Sequence, residues 1–350
     1  MMLVFGLAAG LWGLGAALRT PQQARLLMIG LLWVGVVSMH ILLPAGHPLR
    51  NATGGSAAFW VYFAIFVALA FSYGKGVHFL KEKADRRNTP EQKGPFSEAE
   101  LDRYARHIML REIGGPGQKA LKDAKVLVVG AGGLGSPALL YLGAAGVGTL
   151  SVIDDDLVDN SNLQRQVIHR DKDIGRPKVQ SAYDALCAQN PNIDVRSYTR
   201  RLTAEIAEEL FAEYDLVLDG SDNFETRYLV NAAAVATEIP LVSGALSQWE
   251  GQLSLFDPAN GGPCYACVFP EPPAEGLAPT CAEAGVFSPL AGIVGCMMAA
   301  EAIKYLAEAG ETLQGQLLIY DALYGESRRM KISKRADCPV CGVVDDVKSA

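Results

Sequence analysis

Two Cys-x-x-Cys pairs in the second half of the chain offer four thiolates to a metal ion. The first pair is Cys264 and Cys267 and the second is Cys338 and Cys341, with 70 residues between the pairs. Each pair spans one side of a tetrahedral ion, so two pairs would complete a four-cysteine zinc site. Because of the long gap, such a site would tie the end of the chain to its body. Two redox-active dithiols are the alternative.

A glycine-rich segment predicts a phosphate-binding turn. Gly130, Gly132, Gly133 and Gly135 fit the pattern G-x-G-x-x-G, between an apolar run typical of a strand and a segment typical of a helix. Glycine allows the tight turn and lets phosphate approach the backbone N–H groups at the start of the helix. Asp154 ends the next apolar run, 19 residues beyond Gly135, where a carboxylate accepts ribose hydroxyls. The pattern leaves NAD, FAD and ATP open as the nucleotide.

Polar residues after the second and third predicted strands help to decide between these three nucleotides. Asn162, Arg165 and Lys178 follow the second strand, and an arginine fork with a lysine suits a triphosphate. Asp222 follows the third strand, where it would hold Mg²⁺ against phosphate oxygens, cap the following helix, or do both. A flavin or nicotinamide oxidoreductase would leave this charged set unexplained.

The elements that must position these residues alternate between strand and helix from Ser97 onward. Short apolar runs indicate buried parallel strands, and they lie at 125–129, 149–154, 215–219 and 240–245. The alternation predicts a Rossmann-like α/β fold with a doubly wound, mostly parallel sheet. Later strands would form a C-terminal antiparallel extension, at 252–256, 316–320 and 327–332, and residues 289–306 would form a helix.

The first 80 residues differ from the rest in charge and hydropathy. They contain four basic residues and no Asp or Glu, a net charge of +4, whereas the other 27 Lys and Arg face all 38 Asp and Glu, a net charge of −11. Uncharged apolar runs at 1–18, 26–45 and 57–73 approach or reach the roughly 20 residues that cross a bilayer core. We therefore expect about three transmembrane helices within residues 1–80, a charged linker over 81–96 and a nucleotide-binding domain with the cysteine site over 97–350.

The basic residues predict how this anchor is oriented. The third apolar run is followed by six Lys and Arg up to Lys93, more than either loop between the runs contains. The positive-inside rule then places the N-terminus outside and the large body in the cytoplasm, as in an integral protein of the inner or plasma membrane. The acidic body also argues against a general nucleic-acid binder.

In their order along the chain, the motifs resemble those of the ThiF/MoeB/HesA family, which is related to the adenylating core of ubiquitin-activating enzymes. The motifs that carry the resemblance are RYARHI (103–108), GAGGLG (130–135), Asp154, SNLQRQ (161–166), GRPK (175–178), DGSDN (219–223), SGA (243–245), EGQ (250–252) and TCAEAG (280–285). The apolar N-terminal segment is not part of the family pattern. The resemblance implies ATP-dependent adenylation of the C-terminal glycine carboxylate of a ubiquitin-fold sulfur-carrier protein ending in Gly-Gly, with release of pyrophosphate.

Carried over by position, the resemblance also implies roles for individual residues. Asp154 would hold the ribose, while Asn162, Arg165 and Lys178 would contact the phosphates. Asp222 would organise Mg²⁺ and the reacting carboxylate. The family pattern also agrees with zinc at the four cysteines.

Two further roles depend on the resemblance alone. Arg106 would reach the triphosphate bound to a partner subunit, which implies a homodimer. Cys281 occupies the position where some members carry a thiol that links covalently to the carrier, and an unreactive loop cysteine is equally open. Sulfur would come from a separate donor protein.

A non-catalytic nucleotide-binding membrane scaffold is the main alternative to an adenylating enzyme. Such a scaffold would not need the charged residues Arg165, Lys178 and Asp222. The pathway, whether molybdopterin, thiamine, cysteine or tRNA sulfur chemistry, is left open.

Overall fold

The computed structural model describes residues 2–18, 20–44, 46–54, 56–87, 94–274 and 284–342. The chain divides into two compact units, Met1–Lys93 and Gly94–Ala350. The division falls within the segment predicted as a linker, although residues 81–87 of that segment continue a helix.

The first unit is helical and apolar. Its helices are α1 (Met2–Ala17), α2 (Gln22–Leu42), α3 (Pro48–Thr53) and α4 (Ala57–Arg87). By length and composition alone, Gln22–Leu42 and Pro48–Val77 are long and apolar enough to cross a membrane, whereas α1 has only 16 residues. The three predicted spans therefore correspond to α1, α2 and α4, and the short helix α3 was not predicted.

A small polar cluster lies inside this first unit. His40 is buried, and its Nε2 lies 2.9 Å from the Thr53 hydroxyl. Trp60 is also buried and donates from its indole N–H to the Thr53 carbonyl over 3.1 Å. These bonds join α2 to α3 and α3 to α4, because buried polar groups need partners.

The second unit contains one eight-stranded sheet in the order β3-β2-β1-β4-β5-β6-β7-β8. The strands are β1 (Lys125–Val129), β2 (Thr149–Ile153), β3 (Asp194–Tyr198), β4 (Leu216–Asp219), β5 (Leu241–Leu246), β6 (Glu250–Phe256), β7 (Gln316–Asp321) and β8 (Glu326–Lys331). The first five strands are parallel, and β6 to β8 pair antiparallel. The Rossmann-like fold and its antiparallel extension are thus confirmed, with a mixed sheet.

Helices cover both faces of the parallel part. The helices of this unit are α5 (Glu98–Ile108), α6 (Gly114–Asp123), α7 (Gly135–Ala145), α8 (Lys178–Gln189), α9 (Ala204–Phe211), α10 (Phe224–Ala236), α11 (Tyr265–Val268) and α12 (Ser288–Leu306). On β1, Val126 and Val128 pack into the core that includes α7, α8 and α12, whereas Leu127 and Val129 pack into the core that includes α9 and α10. Burial on both faces explains the continuous apolar runs.

Candidate active site

A cavity of about 740 Å³ opens at the edge where β1, β2 and β4 end. Seven of the residues predicted from the sequence line it, namely Gly130, Gly132, Gly133, Asp154, Arg165, Lys178 and Asp222. This is the position expected of a ligand in a parallel α/β sheet, because the loops after these strands converge there.

Two glycines of the turn are required by backbone geometry. Gly130 has φ +94°, a left-handed conformation that favours glycine. A Cβ on Gly135 would collide with the carbonyl oxygen of Gly130, so any larger residue at the start of α7 would open the turn. Gly135 therefore acts through close packing, while Gly132 and Gly133 face the cavity.

Asp154 is fixed at the end of β2 by backbone donors. One carboxylate oxygen accepts from the N–H of Ala131 and the other from the N–H of Asp156, each over 2.8 Å. Burial raises the pKa of Asp154 above its ordinary value, since removal from water disfavours the charged form. The remaining lone pairs are available to hydroxyl donors, as the proposed contact to a ribose requires.

Lys178 is buried at the first position of α8, so it is not an ordinary surface cation. Its Nζ lies 2.6 Å from Oδ2 of Asp156, and its backbone N–H donates to the Asp156 carbonyl over 2.9 Å. Asp156 thus anchors both ends of the lysine, and the ammonium group reaches the cavity wall at a helix N-terminus.

Arg165 is oriented by Asn162. Its Nη2 donates to Oδ1 of Asn162 over 2.7 Å, within the turn that follows the short 3₁₀ helix Asn160–Asn162. Among the described residues that line the cavity, Arg165 is present and Asn162 is not. In this structure Asn162 therefore supports the cation and does not itself face the cavity.

Asp222 does not cap the following helix. Asn223 occupies the cap position of α10, and its side-chain oxygen accepts from the N–H of Thr226 over 2.8 Å. Asp222 lines the cavity, and within the described part of the chain no hydrogen bond or ion pair engages its carboxylate. The group is left free to bind a ligand or a cation.

A buried ion pair that the sequence did not reveal supports this loop. Arg227 donates to the carbonyls of Ser221 and Gly244 over 2.5 and 2.8 Å, and lies 3.7 Å from Oδ2 of Asp219. Asp219 in turn accepts from the backbone N–H and the hydroxyl of Ser221. An arginine on a predicted helix gives no signal of such long-range contacts, so only the fold identifies it.

Arg106, which was predicted to reach the triphosphate of a partner subunit, lies on the surface of this one. Arg106 is exposed on α5, and its guanidinium contacts the sulfur of Met109 at 4.0 Å. It does not occur among the described residues that line the cavity, so a contribution to a neighbouring subunit's site stays a prediction. Cys281 lies outside the described residues.

The four paired cysteines form one cluster, as predicted. Their sulfur atoms all lie within 4.8 Å of one another, and the closest contacts across the two pairs are 3.6 Å for Cys264–Cys338 and 3.4 Å for Cys267–Cys341. Thiolates bound to zinc at about 2.3 Å stand roughly 3.8 Å apart at tetrahedral angles. The donor set and spacing therefore fit a structural zinc ion, which would join α11 to residues 338–341.

Comparison with known proteins agrees with this architecture. A profile of the ThiF family matches residues 104–340, beyond the apolar helices. The chain is 51% identical over 251 residues to the sulfur carrier protein adenylyltransferase of Thermus thermophilus, covering 71% of this chain and 93% of that protein. It is 46% identical over 250 residues to the molybdopterin-synthase adenylyltransferase of Escherichia coli, covering 71% and 98%.

A third relative and one solved structure are also similar to this chain. The SAMP-activating enzyme E1 of Haloferax volcanii is 49% identical over 243 residues, which are 69% of this chain and 89% of that protein. The crystal structure of Escherichia coli MccB with MccA-N7isoASN superposes with a TM-score of 0.62 over 69% of this chain and 74% of that one. With 23% identity, this last likeness concerns the fold alone.

Proposed function

This chain belongs to the ThiF family, and we propose that it uses ATP to adenylate the C-terminal carboxylate of a ubiquitin-like sulfur-carrier protein. The observation that carries the proposal is the cavity at the ends of β1, β2 and β4. The glycine-rich turn, the Asp154 carboxylate, the cations Arg165 and Lys178, and the free Asp222 carboxylate converge there.

The reaction joins two anions, so its main requirement is neutralisation of charge. A carboxylate oxygen of the carrier attacks the α-phosphorus of ATP, the bond to the bridging oxygen breaks, and pyrophosphate leaves with the electron pair. Arg165 and Lys178 lower the repulsion between the anions and stabilise the charge that develops on the leaving group. The backbone N–H groups around Gly132 and Gly133 hold phosphate oxygens, and Asp154 holds the ribose.

Asp222 is the residue best suited to a magnesium ion. Mg²⁺ prefers oxygen ligands and is bound by one or two carboxylates together with substrate phosphates. The carboxylates of Asp154, Asp155 and Asp156 also lie close together, but Asp154 is occupied by backbone donors and Asp156 by Lys178. Asp222 lacks such partners in the described chain, so its carboxylate would hold the cation, whose positive charge would offset that of the phosphates.

Exposed apolar side chains beside the cavity suit a protein substrate. Trp249, in the turn after β5, stacks on Phe287 with ring centroids 4.6 Å apart. Leu323 and Tyr324 follow β7, which runs parallel to β5, and they are 53% and 75% exposed. These turns lie at the same edge of the sheet as the cavity, so a folded carrier could rest there while a slender Gly-Gly terminus enters.

Further parts of the proposal extend beyond this cavity. The four cysteines hold a structural zinc ion. The enzyme is a homodimer in which Arg106 completes the neighbouring site, and Cys281 is available for a covalent link to the carrier. A separate protein donates the sulfur, and nucleic acid is not a partner.

We also propose that the first unit anchors the enzyme in a membrane. Support comes from the length and composition of α2 and α4, and from the basic residues that follow the third apolar run. In this arrangement the N-terminus lies outside and the catalytic unit lies in the cytoplasm.

Exchange of radiolabelled pyrophosphate into ATP tests the proposed reaction. The full chain in detergent micelles should catalyse the exchange with Mg²⁺ and a carrier ending in Gly-Gly, and not with the same carrier lacking its last glycine. Asp222→Asn should abolish exchange, whereas Asp123→Asn, an exposed aspartate on α6, should leave it unchanged. Undiminished exchange in Asp222→Asn would overturn the role of this carboxylate. A wild-type chain that binds nucleotide without exchange would favour the scaffold instead.

A further inference from the structure

Gln166 is a buried glutamine in the wall of the nucleotide cavity, and its side-chain oxygen is not satisfied by the described part of the chain. The residue is 4% exposed and lines the cavity between Arg165 and the glycine-rich turn. Its Oε1 is fully buried and has no hydrogen-bond partner among the described residues. Because buried amide groups in proteins are almost always hydrogen-bonded, this atom requires an explanation.

The backbone of Gln166 is held firmly against the phosphate-binding turn. Its N–H donates to the Asn162 carbonyl over 3.0 Å, and its carbonyl accepts from the N–H of His169 over 3.1 Å. The His169 ring in turn lies 2.9 Å from the carbonyl of Ala131, inside the turn. The amide side chain is close enough to Gly132 that a Cβ there would stand 3.7 Å from Gln166 Nε2.

Gln118 shows what a purely structural glutamine looks like in the same unit. It is fully buried between α6 and its neighbours. Its Nε2 donates to the Ala145 carbonyl over 2.7 Å, and its Oε1 lies 3.3 Å from Nδ1 of His107. Both ends of that amide are used by the protein, whereas Gln166 lines the cavity and its Oε1 has no partner among the described residues.

We propose that Gln166 binds the nucleotide directly, turning its amide into the cavity so that Nε2 donates to a phosphate oxygen and Oε1 gains a hydroxyl or water as its donor. The inference rests on the proposed function, since it assigns a further binding residue to the same site. A neutral amide suits this position beside Arg165 and Lys178. It adds a donor without adding a third charge that would hold pyrophosphate back.

Binding of ATP to the full chain in detergent micelles tests this assignment. Gln166→Met keeps the size and flexibility of the side chain but removes both hydrogen-bonding atoms. We expect its ATP dissociation constant to rise roughly 10- to 100-fold, as is typical for a lost hydrogen bond to a charged group. Its Tm without nucleotide should stay equal to that of the wild type or rise, since the variant no longer buries an unpaired amide.

Two further variants separate a binding role from a structural one. Gln118→Met should lower the Tm of the free protein and leave the affinity for ATP unchanged. Gln166→Glu should bind ATP more weakly than Gln166→Met at pH 8, where a carboxylate repels phosphate. Its affinity should recover as the pH falls, because the protonated acid again donates.

The outcomes distinguish this inference from the proposed function. Wild-type affinity in Gln166→Met, or affinity in Gln166→Glu that does not change with pH relative to the wild type, would overturn the assignment of Gln166 alone. A lowered Tm with unchanged affinity in Gln166→Met would show a structural role and overturn it as well. A wild-type chain that does not bind ATP would overturn the proposed function together with this inference.

Discussion

Replacing Arg227 by methionine should destabilise the second unit strongly, because the arginine joins three segments at the wall of the cavity. The guanidinium donates to Ser221 and Gly244 and lies 3.7 Å from Asp219, and both charged residues are at least 94% buried. Without it, Asp219 keeps hydrogen bonds from Ser221 and Ser243 but loses the opposite charge that compensates its burial.

The expected loss is about 3–5 kcal/mol of unfolding free energy, the range for breaking a buried pair by removing one partner. The two hydrogen bonds to carbonyls alone account for a similar amount, at about 1.5–3 kcal/mol each for a charged donor. For a domain of this size, 1 kcal/mol shifts Tm by about 2–4 °C, so the Tm should fall by roughly 6–20 °C. An exposed pair such as Arg328–Glu326 should contribute far less, because water screens the attraction between the two charges.

Thermal unfolding of the full chain in detergent, followed by circular dichroism, measures these losses. Arg328→Met serves as the matched control and should shift Tm by less than about 4 °C. Arg227→Lys keeps the charge but lacks the fork that reaches two carbonyls, so its Tm should lie between those of the wild type and Arg227→Met. The double variant Asp219→Asn/Arg227→Met should be less destabilised than the two single variants added together.

The contacts of Arg227 with Ser221, Gly244 and Asp219 also predict a separate effect on catalysis. Ser221 directly precedes Asp222, so the loss of its bond to Arg227 should reduce pyrophosphate exchange at temperatures where the variant remains folded. The stabilising role of Arg227 would be refuted by a Tm for Arg227→Met within about 2 °C of that of the Arg328→Met control. Wild-type stability and exchange in Arg227→Lys would refute it as well.

Three further predictions concern other parts of the molecule. Cys338→Ser should lose the roughly one zinc ion per chain that metal analysis finds in the wild type, and zinc retained in the variant would contradict the four-cysteine site. Burial lowers the pKa of His169 below its ordinary value of 6.5, so the unfolded chain takes up a proton first and stability is lost as the pH falls below about 6.5. His169→Gln should therefore flatten the fall in Tm between about pH 6.5 and 5, and an unchanged slope would contradict this assignment. Removal of residues 1–93 should abolish sedimentation with membranes and leave pyrophosphate exchange unaltered, and loss of both would show that the first unit is needed for catalysis.

The alternating strands and the glycine-rich turn could be predicted from the sequence because their causes are local. Strands buried on both faces require continuous apolar runs, and Gly130 and Gly135 are needed by the backbone of the turn itself. The pairing of the cysteines could also be anticipated, since the spacing within each pair is a property of the metal geometry.

The parts of the site that depend on contacts distant in sequence could not be predicted. Arg227 acts on a loop before its own helix and on the neighbouring strand β5, and Gln166 is noticeable only because the fold buries it. Each of these roles depends on which groups the fold brings together.

Hydropathy alone does not distinguish a membrane-spanning helix from a buried core helix in this chain. Helix α12, Ser288–Leu306, is long and apolar enough to be a candidate span by the same criterion as α2. It packs into the core of the second unit, where Leu290, Val294 and Met298 are buried against the sheet. By contrast, 11% of the most apolar stretch of α2 is buried, against 44% for α12. The length and hydropathy of a helix thus show only that its apolar surface must be removed from water. Its packing in the folded protein decides whether protein or lipid can do so.

The loop after β4 explains why one aspartate among several is the best candidate for chemistry. Asp219 is committed to Ser221, the Ser221 carbonyl is held by Arg227, and Asn223 caps α10. Each of these groups satisfies the backbone of the loop, and none of them engages the Asp222 carboxylate. The neighbours of Asp222 are therefore fixed, while its own carboxylate has no protein partner among the described residues. All of its hydrogen-bonding capacity is left for a ligand. It can therefore bind a cation or an incoming substrate without first breaking a bond to the protein, which is the preorganisation that adenylation of one anion by another requires.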